Sequence, residues 1–285
     1  MEKKIKIVEC PRDAMQGWEP WIPTELKIKY LNSLLSIGFD TLDFGSFVSA
    51  KAIPQLRDTK EVLAGLDLSR TTTKLLAIVA NVRGAEEASL YKEIQFLGFP
   101  FSISEEFQRR NTNSTIEESL ERVREIQNIC KSSDKQLVIY ISMGFGNPYG
   151  EPWNKDIVIH WVKKLASEGI RIIALSDTVG MSTKENISYL FSHLIPEFPE
   201  VEFGAHLHSD ATSWLEKVDA ARQSGCLRFD SALKGIGGCP MANNDLVGNL
   251  ATENLVSYFG GISALNLNAE GWERSFDIAN EIFHS

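Results

Sequence analysis

No stretch of this 285-residue chain approaches the run of about 20 apolar residues that a membrane-spanning helix needs. Cysteine is scarce: Cys10, Cys130, Cys226 and Cys239 form no C-x-x-C pair and no dense framework. That argues against a disulfide scaffold and for a reducing compartment. Positive charge is in deficit, with 29 Lys and Arg against 38 Asp and Glu and a net charge of −9, so nucleic acid is not expected as the partner. The apolar run in MEKKIKIVEC (1–10) is too short for a signal peptide. A cytoplasmic protein, with neither membrane nor nucleic acid as partner, is the expectation. Also missing are a G-x-G-x-x-G or G-x-x-x-x-G-K-[ST] turn after the first strand, and any linker or low-complexity segment. These absences disfavour an open nucleotide-binding sheet and a multidomain chain.

What is present is alternation. Apolar, β-branched runs at 5–10, 41–45, 74–80, 93–99, 136–143, 171–177, 201–208 and 227–233 are separated by amphipathic segments. In TIEESLERVREIQNIC (115–130), Ile116, Leu120, Val123, Ile126 and Ile129 recur at helical spacing. Ser114 and Glu117 read as the capping box that opens this helix. Eight βα units with near-continuous apolar strands predict an α/β fold, the (β/α)8 TIM barrel, over residues 1–285 as one domain. A further helix pattern near 268–282 predicts an additional C-terminal helix packing after closure.

Active sites of such barrels lie at the C-terminal ends of the strands. Those ends carry Arg12 and Asp13 after strand one, Asp43 on two, Ser142 on five, Asp177 on six, and His206 and His208 on seven. In FGAHLHSDA (203–211) the two histidines are one residue apart, a spacing that aims both rings at one point on a strand. Two imidazoles with a carboxylate and an amide oxygen suit Mg²⁺ or Mn²⁺, and spacing alone does not exclude a catalytic zinc. After strand eight, GIGGCP (235–240) surrounds Cys239 with three glycines and a proline, which predicts a tight or mobile loop.

The segments KIVECPRDAMQ (6–16), SFVS (46–49), PQLRDTKEVLAGL (54–66), HLH (206–208) and GIGGCPMA…GNLATENLV (235–256) resemble hydroxymethylglutaryl-CoA lyase, of the metal-dependent TIM-barrel lyase and aldolase group. The likeness runs in order over essentially the whole chain, and the glycine-cysteine loop is its most specific part. The resemblance implies Asp13, His206, His208 and Asn249 as ligands of a divalent cation, Mg²⁺ or Mn²⁺. It implies Arg12 as the group that stabilises the enolate oxygen, and Cys239 as a loop cysteine acting in proton transfer. Asp177 matches a carboxylate near the substrate hydroxyl, and Glu253 a loop-supporting acid. Gln16, Asp43 and Ser142 join the substrate-binding or supporting set. His206 and Asp177 both stand as candidates for the general base. The implied reaction is retro-Claisen cleavage of 3-hydroxy-3-methylglutaryl-CoA to acetyl-CoA and acetoacetate. Family members are often dimers, which leaves a homodimer open.

The chain also departs from the family pattern. Asp43 replaces a Glu on strand two, Ser209-Asp210 an Asp-Thr, Asn147 a Cys and Met241 a Tyr, and the loop before Asn249 is one residue longer. GWEPWIP (17–23) replaces a polar, often lysine-containing run. Trp18 and Trp21 in it are either binding-site aromatics or a hydrophobic rim. Three readings follow: the lyase itself, a related metal-dependent lyase or aldolase on another hydroxyacid or hydroxyacyl-CoA, and an inactive barrel serving as a binding subunit. The retained ligands, Arg12 and Cys239 speak against the third.

Overall fold

In a parallel sheet both faces are covered, so its strands are apolar throughout and the helices between them amphipathic. The chain follows that rule in a computed structural model that describes residues 4–238 and 248–283. It runs through β1 (Lys6–Glu9), α1 (Pro11–Gln16), α2 (Thr24–Ile37), β2 (Thr41–Ser46), α3 (Thr59–Ala64), β3 (Lys74–Ile78), α4 (Val82–Ser89), β4 (Ile94–Ser102), α5 (Glu105–Thr112) and α6 (Ile116–Ser132). Next come β5 (Gln136–Ser142), α7 (Lys155–Ser167), β6 (Ile172–Ser176), α8 (Lys184–Glu197), β7 (Glu202–His206), β8 (His208–Ser209), α9 (Trp214–Gln223) and β9 (Arg228–Ser231). The described chain ends with β10 (Gly248–Asn249), α10 (Thr252–Tyr258), α11 (Gly261–Ala264) and α12 (Ala269–Ile282).

Strands β1 to β7 and β9 close a parallel barrel. The seam is β9 against β1, with Lys6 opposite Arg228 and Glu9 opposite Ser231. This is the expected (β/α)8 fold. The two-residue strands β8 and β10 pair antiparallel above the rim, with His208 opposite Asn249. The additional C-terminal helix, α12, packs along α2. Asn268 N donates to Ile37 O (2.9 Å) and Ser275 Oγ to Ser33 Oγ (2.9 Å). Among the described residues no helix is long and apolar enough to cross a membrane.

The main core lies between the sheet and the helices. A smaller cluster, Leu76, Ile78, Phe96, Val138, Tyr140, Ile172 and Ala174, fills the barrel interior along β3 to β6. Gly98 belongs to this packing: a Cβ there would sit 2.6 Å from Ile78 Cδ1 and 3.1 Å from Tyr140 Cε2. The facing side of the interior, from β7 and β9, is polar. Arg228 bonds Glu202 (3.2 Å), and the Tyr140 ring meets His206 edge-on at 5.6 Å.

The capping box of α6 sits one residue later than the sequence reading placed it. Thr115 Oγ1 accepts from Glu118 N, and Glu118 Oε2 accepts from Thr115 N. Ser114 is one position too early, and its hydroxyl instead accepts from Gln108 and Arg122. S-T-I-E-E offers two overlapping S/T-x-x-E frames, and the neighbours of Ser114 decide between them. Thr115→Ala should lower the unfolding free energy by about 1 kcal/mol in a urea melt; an unchanged midpoint would show that the box contributes nothing.

Candidate active site

Helix α1 starts directly where β1 ends, with Pro11 at its first position, where a missing N–H costs nothing. This short turn of helix projects Arg12, Asp13 and Gln16 into the mouth of the barrel. Arg12 is 8% exposed. Its Nε and Nη2 both donate to Asp43 Oδ2 at the middle of β2, and its Nη1 donates to Asp13 Oδ1 and Gln16 Oε1, each at 2.9 Å. Gln16 Nε2 also donates to Asp13 Oδ1 (2.7 Å), and Asn249 Nδ2 donates to Asp13 Oδ2 (2.7 Å). Asp43 thus reaches Arg12 although it is one methylene shorter than the glutamate of the family pattern.

Across the mouth, β7 ends at His206 and β8 starts at His208. Their ring centroids are 5.5 Å apart, so the paired histidines do converge. Donor atoms of Asp13, His206 and His208 lie within 4.8 Å of one another. His206 Nδ1 faces Asp230 Oδ2 at 3.1 Å, which leaves Nε2 toward the cavity. His208 Nε2 is buried and has no hydrogen-bond partner among the described residues. A buried orphan nitrogen beside a carboxylate and a second imidazole is what a divalent cation would satisfy, and the residues present fit one.

The electrostatics separate like groups. Burial raises the Asp13 carboxyl, but Arg12, His206, the Asn249 amide and His208 outweigh it and hold it below its ordinary value. Asp43 goes the other way: burial takes it to about 6 despite Arg12. Burial lowers His206, yet the hydrogen bond and charge of Asp230 lift it above its ordinary value. His208 is pushed down to about 4 by burial and by His206.

A cavity of about 430 Å³ opens in front of these groups, lined by Arg12, Asp13, Gln16, Tyr140, Ser142, His206 and His208 among others. Phe107, Arg110 and Asn111 of α5 and Val48, Ala52 and Ile53 of the loop after β2 form its walls. Ser142 therefore sits where the sequence placed it. Asp177 does not reach the cavity. It follows Ser176, which lines the cavity, and strand alternation turns the next side chain away. Asp177 accepts from Ser182 N (3.0 Å), Ser182 Oγ (2.5 Å) and Lys217 Nζ (2.8 Å), and Lys217 also donates to His208 O (2.8 Å). Glu253 sits on the first turn of α10 and accepts from the backbone N–H of Lys234 (3.1 Å), a residue held at φ 65° just before the glycine loop. Gly237, at φ 100°, lets that loop pass the site, since a Cβ there would lie 2.7 Å from Asn249 Nδ2 and 2.8 Å from Asp13 O. Cys239 and Met241 lie outside the described residues.

Trp18 and Trp21 are rim residues. Trp18 packs edge-on against Phe283 (5.3 Å), and Trp21 stacks under Lys27 and Arg57 (3.9 Å each). Two residues that the sequence reading did not single out also belong here, Asp230 and Tyr140. The available signal was period two on an apolar strand: Asp230 stands two residues after Arg228, on the face opposite Phe229.

A sequence model described as HMGL-like matches residues 4–270. The chain belongs to the HMGL-like family. It is 33% identical over 265 residues to the mitochondrial hydroxymethylglutaryl-CoA lyase of Mus musculus, covering 92% of this chain and 80% of that protein. It is 34% identical over 255 residues to the hydroxymethylglutaryl-CoA lyase YngG of Bacillus subtilis, covering 89% and 84%. Among solved structures, an HMG-CoA lyase of Acinetobacter baumannii in complex with coenzyme A and 3-methylmalate superposes with a TM-score of 0.89 at 30% identity, covering 98% of this chain and 91% of that one. The hydroxymethylglutaryl-CoA lyase of Pseudomonas aeruginosa gives a TM-score of 0.90 at 28% identity, covering 99% and 94%.

Within this family site, Glu9 at the end of β1 is fully buried with no cationic partner among the described residues. It accepts from Leu233 N (2.8 Å) and from the Thr252 hydroxyl (2.5 Å), and so bridges the segments on either side of the glycine loop. Burial raises its carboxyl from 4.5 to about 8, against the lowering effect of those two donors. A group raised in the folded state binds more protons folded than unfolded, so its contribution is present below about pH 4.5 and is lost as pH rises toward 8. Glu9→Gln should therefore flatten the fall in unfolding free energy between pH 5 and 8, leaving the variant at least about 1 kcal/mol better at pH 8 relative to pH 5 than wild type. Parallel urea titrations at the two pH values would measure it, and identical pH profiles would refute it.

Proposed function

We propose that the protein is a divalent-cation-dependent carbon–carbon lyase that cleaves 3-hydroxy-3-methylglutaryl-CoA to acetyl-CoA and acetoacetate. The observation that carries this reading is the meeting of Asp13, His206 and the orphan nitrogen of His208 opposite Arg12 in one cavity. The family and its relatives support it. An acyl-CoA as the substrate is consistent with the relative that holds coenzyme A and 3-methylmalate.

Asp13, His206, His208 and Asn249 would hold the cation, Mg²⁺ or Mn²⁺. Bound there it would supply Lewis-acid polarisation of the substrate hydroxyl. Arg12 faces the thioester. Four of its five N–H groups are taken by Asp43, Asp13 and Gln16, which leaves one on Nη2 for a developing enolate oxygen. Because arginine stays protonated, that donor is charged throughout.

Cleavage requires loss of the hydroxyl proton, rupture of the bond between the carbinol carbon and the thioester α-carbon, and passage of that electron pair to the enolate. Of the two sequence candidates for base, Asp177 has its oxygens held by Ser182 and Lys217, so we favour His206, with Asp230 behind it to stabilise the imidazolium. A ring nitrogen has one lone pair, so His206 Nε2 would serve either the cation or the hydroxyl proton, while Asp13, His208 and Asn249 would serve the cation only. The enolate carbon then takes a proton to give acetyl-CoA. We assign that delivery to Cys239, from outside the described residues, and the support of its loop to Glu253. Asp177 is then a positioning residue, acting through Lys217 on the His208 backbone.

Purified protein with Mg²⁺ or Mn²⁺ should convert hydroxymethylglutaryl-CoA to acetoacetate and acetyl-CoA in equal amounts. Cys239→Ser should cut turnover at least a hundredfold while leaving Mn²⁺ affinity near wild type; metal-dependent turnover that survives this change would remove Cys239 from the reaction. His208→Ala should weaken Mn²⁺ binding, followed by electron paramagnetic resonance, at least a hundredfold. Its melting temperature in chelator should drop by only a few degrees, since the deleted nitrogen has no protein partner among the described residues. Undiminished Mn²⁺ binding would sink the assigned ligand set.

A further inference from the structure

Below the cavity floor lies a second group of donors that the proposed reaction does not use in full. Cys10 follows β1, His206 ends β7 and Asp230 lies on β9, three neighbouring staves of the barrel. The Cys10 sulfur, a ring nitrogen of His206 and a carboxylate oxygen of Asp230 lie within 4.8 Å of one another. Cys10 is 1% exposed and Asp230 2%. Among the described residues the thiol makes only a long contact, to Val8 O (3.6 Å).

Two further atoms mark the spot as chemically unsatisfied. Asp230 Oδ1 and the hydroxyl of Tyr140 are both buried without a hydrogen-bond partner among the described residues, and Tyr140 feels the charges of Asp230 and Cys10. Burial pushes the Cys10 thiol well above its ordinary range, and Asp230, Asp43 and Asp13 push it further, with Arg12 opposing. A divalent cation reverses that balance. Arg228 also acts on Asp230, but its guanidinium is drawn toward Glu202 at the other end of the barrel.

We propose that Cys10, His206 and Asp230 form a second metal site, for a thiophilic divalent cation such as Zn²⁺, one imidazole away from the site of Asp13, His208 and Asn249. Thiolate, imidazole and carboxylate are the donors zinc takes, whereas Mg²⁺ prefers oxygen alone. His206 Nδ1 and Asp230 Oδ2 are 3.1 Å apart, close to the roughly 3.3 Å that two ligands at about 2.0–2.1 Å span around a tetrahedral cation. Cys10, held by one weak contact, supplies the third bond, and Tyr140 Oη or a water the fourth. On binding, the S–H bond of Cys10 and the Nδ1–H bond of His206 break, the S–metal and Nδ1–metal bonds form and both protons pass to solvent, with no change of oxidation state. The cation replaces the His206–Asp230 hydrogen bond, so its presence is felt by the neighbouring site through a shared ring. The inference does not depend on which substrate the cavity takes.

Co²⁺ added to the Mg²⁺-loaded full-length protein provides the test. It should bind with a thiolate-to-Co²⁺ charge-transfer band in the near ultraviolet that excess Zn²⁺ removes. The band should persist in Cys239→Ser and vanish in Cys10→Ser. Asp230→Asn should weaken Co²⁺ binding at least tenfold, which keeps the assignment testable if Cys10→Ser does not fold. No band in the wild type, or one that survives Cys10→Ser and disappears with Cys239→Ser, would overturn the proposal.

Discussion

One buried cation organises the mouth of this barrel. A guanidinium with 8% exposure is tolerated only where its charge and its planar donors are matched, and Arg12 is matched by Asp43 from β2 and Asp13 from its own helix. The chain of contacts continues from Asp13 to Asn249 of β10, and β10 pairs with β8 through His208. A single line of polar contacts therefore joins β2, α1, β10 and β8 across the seam where the barrel closes. Removing Asp13 or Asp43 takes a partner from the buried charge of Arg12, which is why these three residues form one unit.

That line is possible because the barrel interior is divided. Strands β3 to β6 fill their side with Leu76, Ile78, Phe96 and Val138, while β7, β9 and the loop after β1 contribute Glu202, Arg228, Asp230, His206 and Cys10. The apolar side excludes water and lowers the local dielectric, which strengthens every charge interaction on the polar side. The cavity opens at the boundary between the two, so a substrate there would meet aliphatic wall on one side and charge on the other.

How much of this could be read from the sequence varies with the physical signal. The eight strands were legible because a doubly covered parallel strand is apolar along its length, and that contrast with the helices survives any error in the boundaries. The convergence of His206 and His208 was legible from spacing alone. Asp177 was misjudged because its place at a strand end was right and its direction was not; a strand-end residue faces the cavity or the helix layer depending on parity, and Ser176 has the inward position. Asp230 escaped notice because a single acid in RFDS looks like the end of a strand until its parity with Arg228 is counted. The α6 cap slipped by one residue for lack of tertiary context around Ser114.

The two histidines of FGAHLHSDA, chemically identical and separated by one residue, are shifted in opposite directions. His208 is buried beside another imidazole, and its Nε2 has no hydrogen-bond partner among the described residues, so its charged form is disfavoured. His206 is equally close to the cavity but has Asp230 on Nδ1, so its charged form is supported and its tautomer fixed. A neutral imidazole suits holding a cation, and an acid-backed imidazole suits taking and returning a proton. The difference comes from β9, 22 residues downstream of His208 at Asp230, and the β-barrel register that sets Asp230 beside His206 is therefore as much a determinant of the site's chemistry as the histidines themselves.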